Sequence, residues 1–337
     1  MASYLLLLLL AEVTVAEVID FRIACSDAVV SMMNNCTMEE YKSSPRPEKC
    51  DYQLCNVSLF GGPFKEEKVR RKGTATFRHP GYNPSFKIKL GSKYQFSPSW
   101  ESKKVTLNAG AQGLGEIKAY PIFQSKGLPA SEIRSVTVQF NGYRSKAYTL
   151  VETVSDNGFM EKHFEFDNRA DWILWDDTGE CKREGDDAPC VCEIHGDGQR
   201  PPCGAVSGGL NNLTYADFNI SNLVRFYQAE VETNHYDGAC HAFRDRKNQT
   251  SNNYYLVRKI TTHYLVPWGT DQTMQCDTRI DTHEFVCNPV QTYVDAGHTI
   301  DISPIKCGST FEAPKQDVVV IVVILLIAIY CSTISIL

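Results

Sequence analysis

Cysteine and histidine crowd one stretch of this chain: Cys190-Val191-Cys192, His195 and Cys203, with Cys240 and His241 downstream. Thiolate and imidazole are the ligands that zinc takes. Cys-X-Cys is not finger spacing, however, and cysteines in an oxidising compartment pair with one another. We read these residues as disulfides and expect no metal site. Gly204-Ala-Val-Ser-Gly208 lacks the spacing of a nucleophile elbow, and His283-Glu284 has no second histidine at zincin distance. The expectation is no catalytic residue, no cofactor and no enzyme activity.

What remains is the chemistry of membrane contact. Trp172-Ile173-Leu174-Trp175 precedes an acidic stretch containing Cys181, then the Cys190–Cys203 segment, with glycines at 196, 198, 204, 208 and 209. Glycine permits tight turns at positive φ, and disulfides hold such turns rigid. A stapled loop of this kind keeps bulky apolar groups exposed, and tryptophan suits the bilayer interface. The other reading makes Glu165 to Trp175 a half-buried strand with both tryptophans on the core. The sequence leaves both readings open.

The compartment follows from the ends and the cysteines. Residues 1–16 contain six consecutive leucines and then small residues, the layout of a signal peptide. Residues 318–337 are uncharged and rich in Val, Ile and Leu, long enough to span a bilayer as one transmembrane helix at about 1.5 Å per residue. Gly308-Ser309-Thr310 ahead of that run also fits a lipid-anchor signal. Twelve cysteines lie outside the apolar run: Cys25, Cys36, Cys50, Cys55, Cys181, Cys190, Cys192, Cys203, Cys240, Cys276, Cys287 and Cys307. They are expected to pair, in a pattern the sequence does not assign. Five sequons, at Asn35, Asn56, Asn212, Asn219 and Asn248, point to the same secretory route. A net charge of −6 argues against nucleic acid as the partner.

The cysteines divide the ectodomain. Residues 17–64 read as an N-terminal Cys-rich module, 65–170 as a cysteine-free β domain, 171–310 as a Cys-rich β region with the candidate membrane-contact loop, and 311–317 as a stem. Ser135 to Phe140, Asn141-Gly142 and Tyr143 to Val154 form a strong hairpin signal. Phe86 to Leu90 and Lys93 to Phe96 flank Gly91-Ser92 in the same manner. Lys104 to Leu107 and Tyr254 to Val266 are further strand candidates, and no helical period stands out between 65 and 170. Lys65 to Lys72 reads as a solvated linker, within which Lys68-Val-Arg-Arg71 loosely suits a proprotein convertase. The fold class is mainly β, a disulfide-rich multi-part ectodomain built as a sandwich or barrel.

Tryptophan followed by Cys-X-Cys-acidic and a further cysteine resembles the fusion-loop region of alphavirus-type class II fusion glycoproteins. In that family an aromatic tip held between disulfides enters the target membrane. The whole outline is similar to the virion glycoproteins of negeviruses, chroparaviruses and related plant-infecting viruses. The resemblance implies an envelope glycoprotein for attachment and fusion, with a membrane, a host receptor, other virion proteins and further copies of itself as partners. The competing expectation is a cellular lipid-anchored or single-span binding protein.

Overall fold

The computed structural model describes residues 20–43, 46–73, 77, 82–109, 113–164, 172–176, 210, 213–233, 235, 238–239, 254–259, 261–269 and 287–302. The expected signal peptide, stem and membrane anchor lie outside these residues, as do Cys181, Cys190, Cys192, Cys203, Cys240, Cys276 and Cys307. Among the described residues no helix is long and apolar enough to cross a membrane.

The fold is mainly β. Seven strands, β1 (Phe21–Ala24), β2 (Gln53–Leu59), β3 (Lys65–Lys72), β4 (Ser85–Ser97), β5 (Trp100–Ala109), β6 (Ile133–Phe140) and β7 (Lys146–Glu152), close into a barrel in the order β1-β2-β3-β4-β5-β7-β6. Neighbours run antiparallel except β1 and β6, whose parallel pairing sets Phe21 opposite Val138 and closes the ring. Closure leaves no free edge to template aggregation. Alternate side chains point inward, as the period of two requires: Ile23, Val57, Val69, Ile88 and Leu107 are each at most 2% exposed. Phe86 stacks on Phe140 at 5.4 Å, so the barrel is filled by its own side chains and is not a channel.

The hairpin expected at Asn141-Gly142 is present, with φ of 44° and 72° at the two turn residues, the left-handed pair of a type I′ turn. Other expectations need correction. The Gly91-Ser92 pair is no hairpin turn. Both flanking runs belong to β4, which continues to Ser97 with a register shift between Lys89 and Tyr94. Gly91 donates its N–H to the Glu67 carboxylate at 2.6 Å, a bond that makes a bulge out of a turn signal. The chain reverses later, where Ser97 pairs with Trp100.

The linker expected at Lys65 to Lys72 is β3, a central wall of the barrel. Its inward positions include Glu67 and Arg71, which find internal partners, and this is why charge pattern alone misread it. Val69, Arg70 and Arg71 are 0%, 6% and 6% exposed, so the folded chain offers no convertase site there. The boundary drawn between 64 and 65 also dissolves, since β1 and β2 share one sheet with β3 to β7.

Two disulfides nest at one end of the barrel, Cys25–Cys55 and Cys36–Cys50. Cys287 is bridged as well. The outer pair encloses helices α1 (Asp27–Asn35) and α2 (Met38–Lys42), and the inner pair encloses α2 alone. Ser26 caps α1, and Thr37 with Glu40 forms a capping box on α2.

Against the barrel packs a second layer: helix α3 (Gly113–Ser125), helix α4 (Asn157–Phe164), a sheet of β8 (Trp172–Asp176), β9 (Tyr254–Lys259) and β10 (Thr262–Pro267), and helices α5 (Ile220–Glu232) and α6 (Asn288–Asp295). Phe123 of α3 meets Phe226 of α5 at 5.5 Å in a shared core. Glu116, Ala119, Tyr120 and Phe123 are buried on one face of α3. Glu116 is charged, however, and the outer side carries Ile117, Pro121 and Ile122, so the sequence shows no amphipathic period.

Candidate functional site at the barrel tip

Trp172-Ile173-Leu174-Trp175 lies in β8, an edge strand paired antiparallel with β9 from Trp172↔Lys259 to Asp176↔Tyr255. Leu174 is 2% exposed and packs with Phe159, Val257 and Val266. The backbone there is a strand, and the stapled loop expected after it lies outside the described residues.

An exposed apolar turn stands elsewhere, between β2 and β3, in the segment Leu59-Phe60-Gly61-Gly62-Pro63-Phe64. Phe60 has φ 48°, unusual for a bulky side chain, and Gly61 follows at φ 76°. The Gly62 N–H donates to Leu59 O at 2.8 Å, and a Cβ on Gly62 would sit 3.0 Å from that same oxygen. The turn is therefore closed, and a side chain at 62 would press on the Leu59 carbonyl. The Phe60 ring roots it: it meets Phe21 edge-on at 5.5 Å, stacks near Tyr94 at 5.8 Å, and lies under the Arg134 guanidinium at 5.0 Å. Phe64 points away and is 53% exposed, beside exposed Gly61, Gly62 and Pro63. Behind the turn is a cleft of about 80 Å³, bordered by Val57, Leu90 and Tyr94, too small for an organic cofactor of ordinary size.

The same end of the barrel carries an ionic clasp. Glu132 accepts from Ser97 at 2.6 Å, Ser99 at 2.5 Å and Lys162 of α4 at 2.6 Å. Burial alone would raise the Glu132 pKa, but these donors outweigh it and hold the carboxyl below its ordinary value. A carboxylate so stabilised is a weak base, and through it the Ser-Glu-Lys group fastens α4 to the barrel. Glu152 lies 3.5 Å from the same Lys162, and burial pushes it up to about 7 despite that cation. Burial likewise lowers His163 to about 4.

Asn35 and Asn56 are exposed, as glycan acceptors must be. Asn219 is half-buried and caps α5, its Oδ1 accepting from Asn222 N at 3.0 Å. Asn212 and Asn248 lie outside the described residues. Among the described residues no three of His, Cys, Asp and Glu converge as metal ligands.

No protein-family model matches this chain, and no curated protein matches it. The site therefore stands on its own chemistry. The Phe60–Phe64 turn was legible as an apolar, glycine-rich pentamer just before a charged run. It escaped notice because β3 was taken for a linker, which hid the hairpin it tips.

Proposed function

We propose that this chain is a viral envelope or virion-surface glycoprotein that attaches to a target cell and presents the Phe60–Phe64 turn to the target bilayer in membrane fusion. The observation that carries this reading is a half-exposed phenylalanine on a rigid glycine-proline turn at the end of a closed barrel. An apolar side chain costs free energy in water, and here the barrel holds one out rather than burying it. The disulfides and the exposed sequons fit an extracytoplasmic setting, and the apolar run 318–337 would tether the chain to its own membrane.

One turn supplies little. Moving a phenylalanine from water into an apolar phase is worth roughly 2–3 kcal/mol when complete, and Phe64 is already half covered. Useful membrane attachment then needs several copies acting together, which is why a homo-oligomer belongs to the proposal. A host receptor and other virion proteins complete the partners it implies.

The test displays the full chain on cells and offers fluorescent phosphatidylcholine vesicles. Parent cells should capture vesicles, and Phe64→Asp cells should not, at equal surface display. Equal capture by both would overturn the assignment of the turn.

A further inference from the structure

The outer wall of the barrel carries a ladder of cations. Register places Lys68 of β3 opposite Lys89 of β4, and Lys89 opposite Lys104 of β5. One rung along, Arg70 stands opposite Lys87. Val69, Ile88 and Val105 point inward between them, so these five side chains share the outer face. Lys68 is exposed, and Lys87, Lys89 and Lys104 are half-exposed. Like charges directly opposite one another destabilise a sheet, and this chain carries a net charge of −6, so the ladder is not a by-product of a basic protein.

The face is partly ordered in advance. The Tyr52 ring lies between Arg70 at 4.5 Å and Lys89 at 4.6 Å. Arg70 is nearly buried and also lies 3.7 Å from Asp51, so it adds field more than contact. Asp51 and Glu66 sit at the rim of the ladder, and the Asp156 carboxylate stands beside its β5 end, accepting from the Lys104 N–H at 3.3 Å. Adjacent strands are about 4.8 Å apart and alternate residues about 7 Å apart, so the lysines form a close two-dimensional array. We propose that this wall binds a sulfated polysaccharide, the Lys68-Lys89-Lys104 row pairing with successive sulfates.

A lipid headgroup has similar charge but the wrong shape for this site. The array lies on the side of the barrel, whereas the Phe60–Phe64 turn is at its end, and a flat bilayer cannot press both. Exposed Asn56, on β2 opposite Glu66, would also set a glycan beside the wall and hold a membrane off. A flexible polymer meets neither obstacle. The inference leans on the surface-glycoprotein reading for where such a polymer would be met and for placing the bilayer at the turn.

Heparin binding by the detergent-solubilised full chain tests the wall separately from vesicle capture by Phe64. The triple variant Lys68→Ala/Lys89→Ala/Lys104→Ala should bind heparin at least about tenfold more weakly, and the charge-matched Lys118→Ala/Arg144→Ala/Lys146→Ala within about twofold of the parent. Acetylation footprinting of the parent, which needs no variant, should show Lys68 and Lys89 protected by heparin and Lys146 unprotected. Equal losses in both triples, or no selective protection, would overturn the proposal. So would ladder-dependent binding to phosphatidylserine vesicles without binding to heparin.

Discussion

Arg71 of β3 donates to the Cys36 carbonyl at 3.0 Å, across the inside of the barrel's end. The same guanidinium also donates to Met33 O and lies 4.2 Å from the Phe77 ring. One residue of a supposed linker thus fastens the disulfide-stapled helices to the barrel wall. Burial pulls its pKa down only to about 10, so it stays charged at neutral pH.

Removing that guanidinium leaves two carbonyls at the end of α1 without their donor. Arg71→Ala should lower unfolding stability by roughly 3 kcal/mol, with Arg71→Lys recovering part of it. Urea unfolding of the two variants beside the parent measures this. Because Val69 to Arg71 is buried strand, trypsin or a proprotein convertase should leave Arg71 uncut until the barrel opens. A native-state cut there would refute the assignment of β3.

The Glu152 carboxyl predicts a pH dependence. Its folded-state pKa of about 7 exceeds its ordinary value of 4.5, so between those limits the folded form holds a proton that the unfolded form releases. Its contribution to stability is therefore full below about pH 4.5 and is lost as pH rises through about 7. Glu152→Gln keeps an acceptor for the Glu132 N–H and abolishes the titration. The variant should melt higher than the parent at pH 8 and close to it at pH 5, by calorimetry. A gain at pH 5 equal to the gain at pH 8 would show that Glu152 is not titrating in this window.

Much of the barrel was legible because its local signals agree with its fold. Asn141-Gly142 lies between alternating runs, and the turn that results needs left-handed backbone at both residues. Failures came where a tertiary partner reverses a local signal. Glu67 and Arg71 look solvated until Gly91 N, Met33 O and Cys36 O are known to meet them. Gly91-Ser92 looks like a turn until Glu67 is across from it. Helix α3 is invisible to an amphipathic search because its buried face carries Glu116 and its outer side carries Ile117, Pro121 and Ile122. The membrane-contact residues were sought at Trp172 to Trp175 from the aromatic run together with the glycines and cysteines that follow it. The run itself pairs with β9 as a strand with Leu174 buried, and the loop after it lies outside the described residues.

The sequons separate by environment. Peptide mapping should find glycans at exposed Asn35 and Asn56. Asn35→Gln and Asn56→Gln should each remove one step of gel mobility. Asn219→Gln should instead cost about 1 kcal/mol by removing the cap of α5. Unmodified Asn35 and Asn56 in protein from secretory cells would count against the topology.

Anchor type is separable on intact cells. Phosphatidylinositol-specific phospholipase should leave the protein in place if residues 318–337 span the membrane. Quantitative release would favour the lipid-anchored cellular reading.

Depth of contact at the barrel tip is the most direct measurement of all. Phe64→Trp adds one indole to the four tryptophans of the chain, at a half-exposed site on the turn. Full-chain protein held in nanodiscs is mixed with target vesicles containing bromine-labelled lipid, and its fluorescence is compared with that of the parent treated alike. The membrane-contact account predicts that the added tryptophan is quenched and shifted to the blue when the vesicles bind. Vesicle binding that leaves the residue-64 emission unchanged would contradict it.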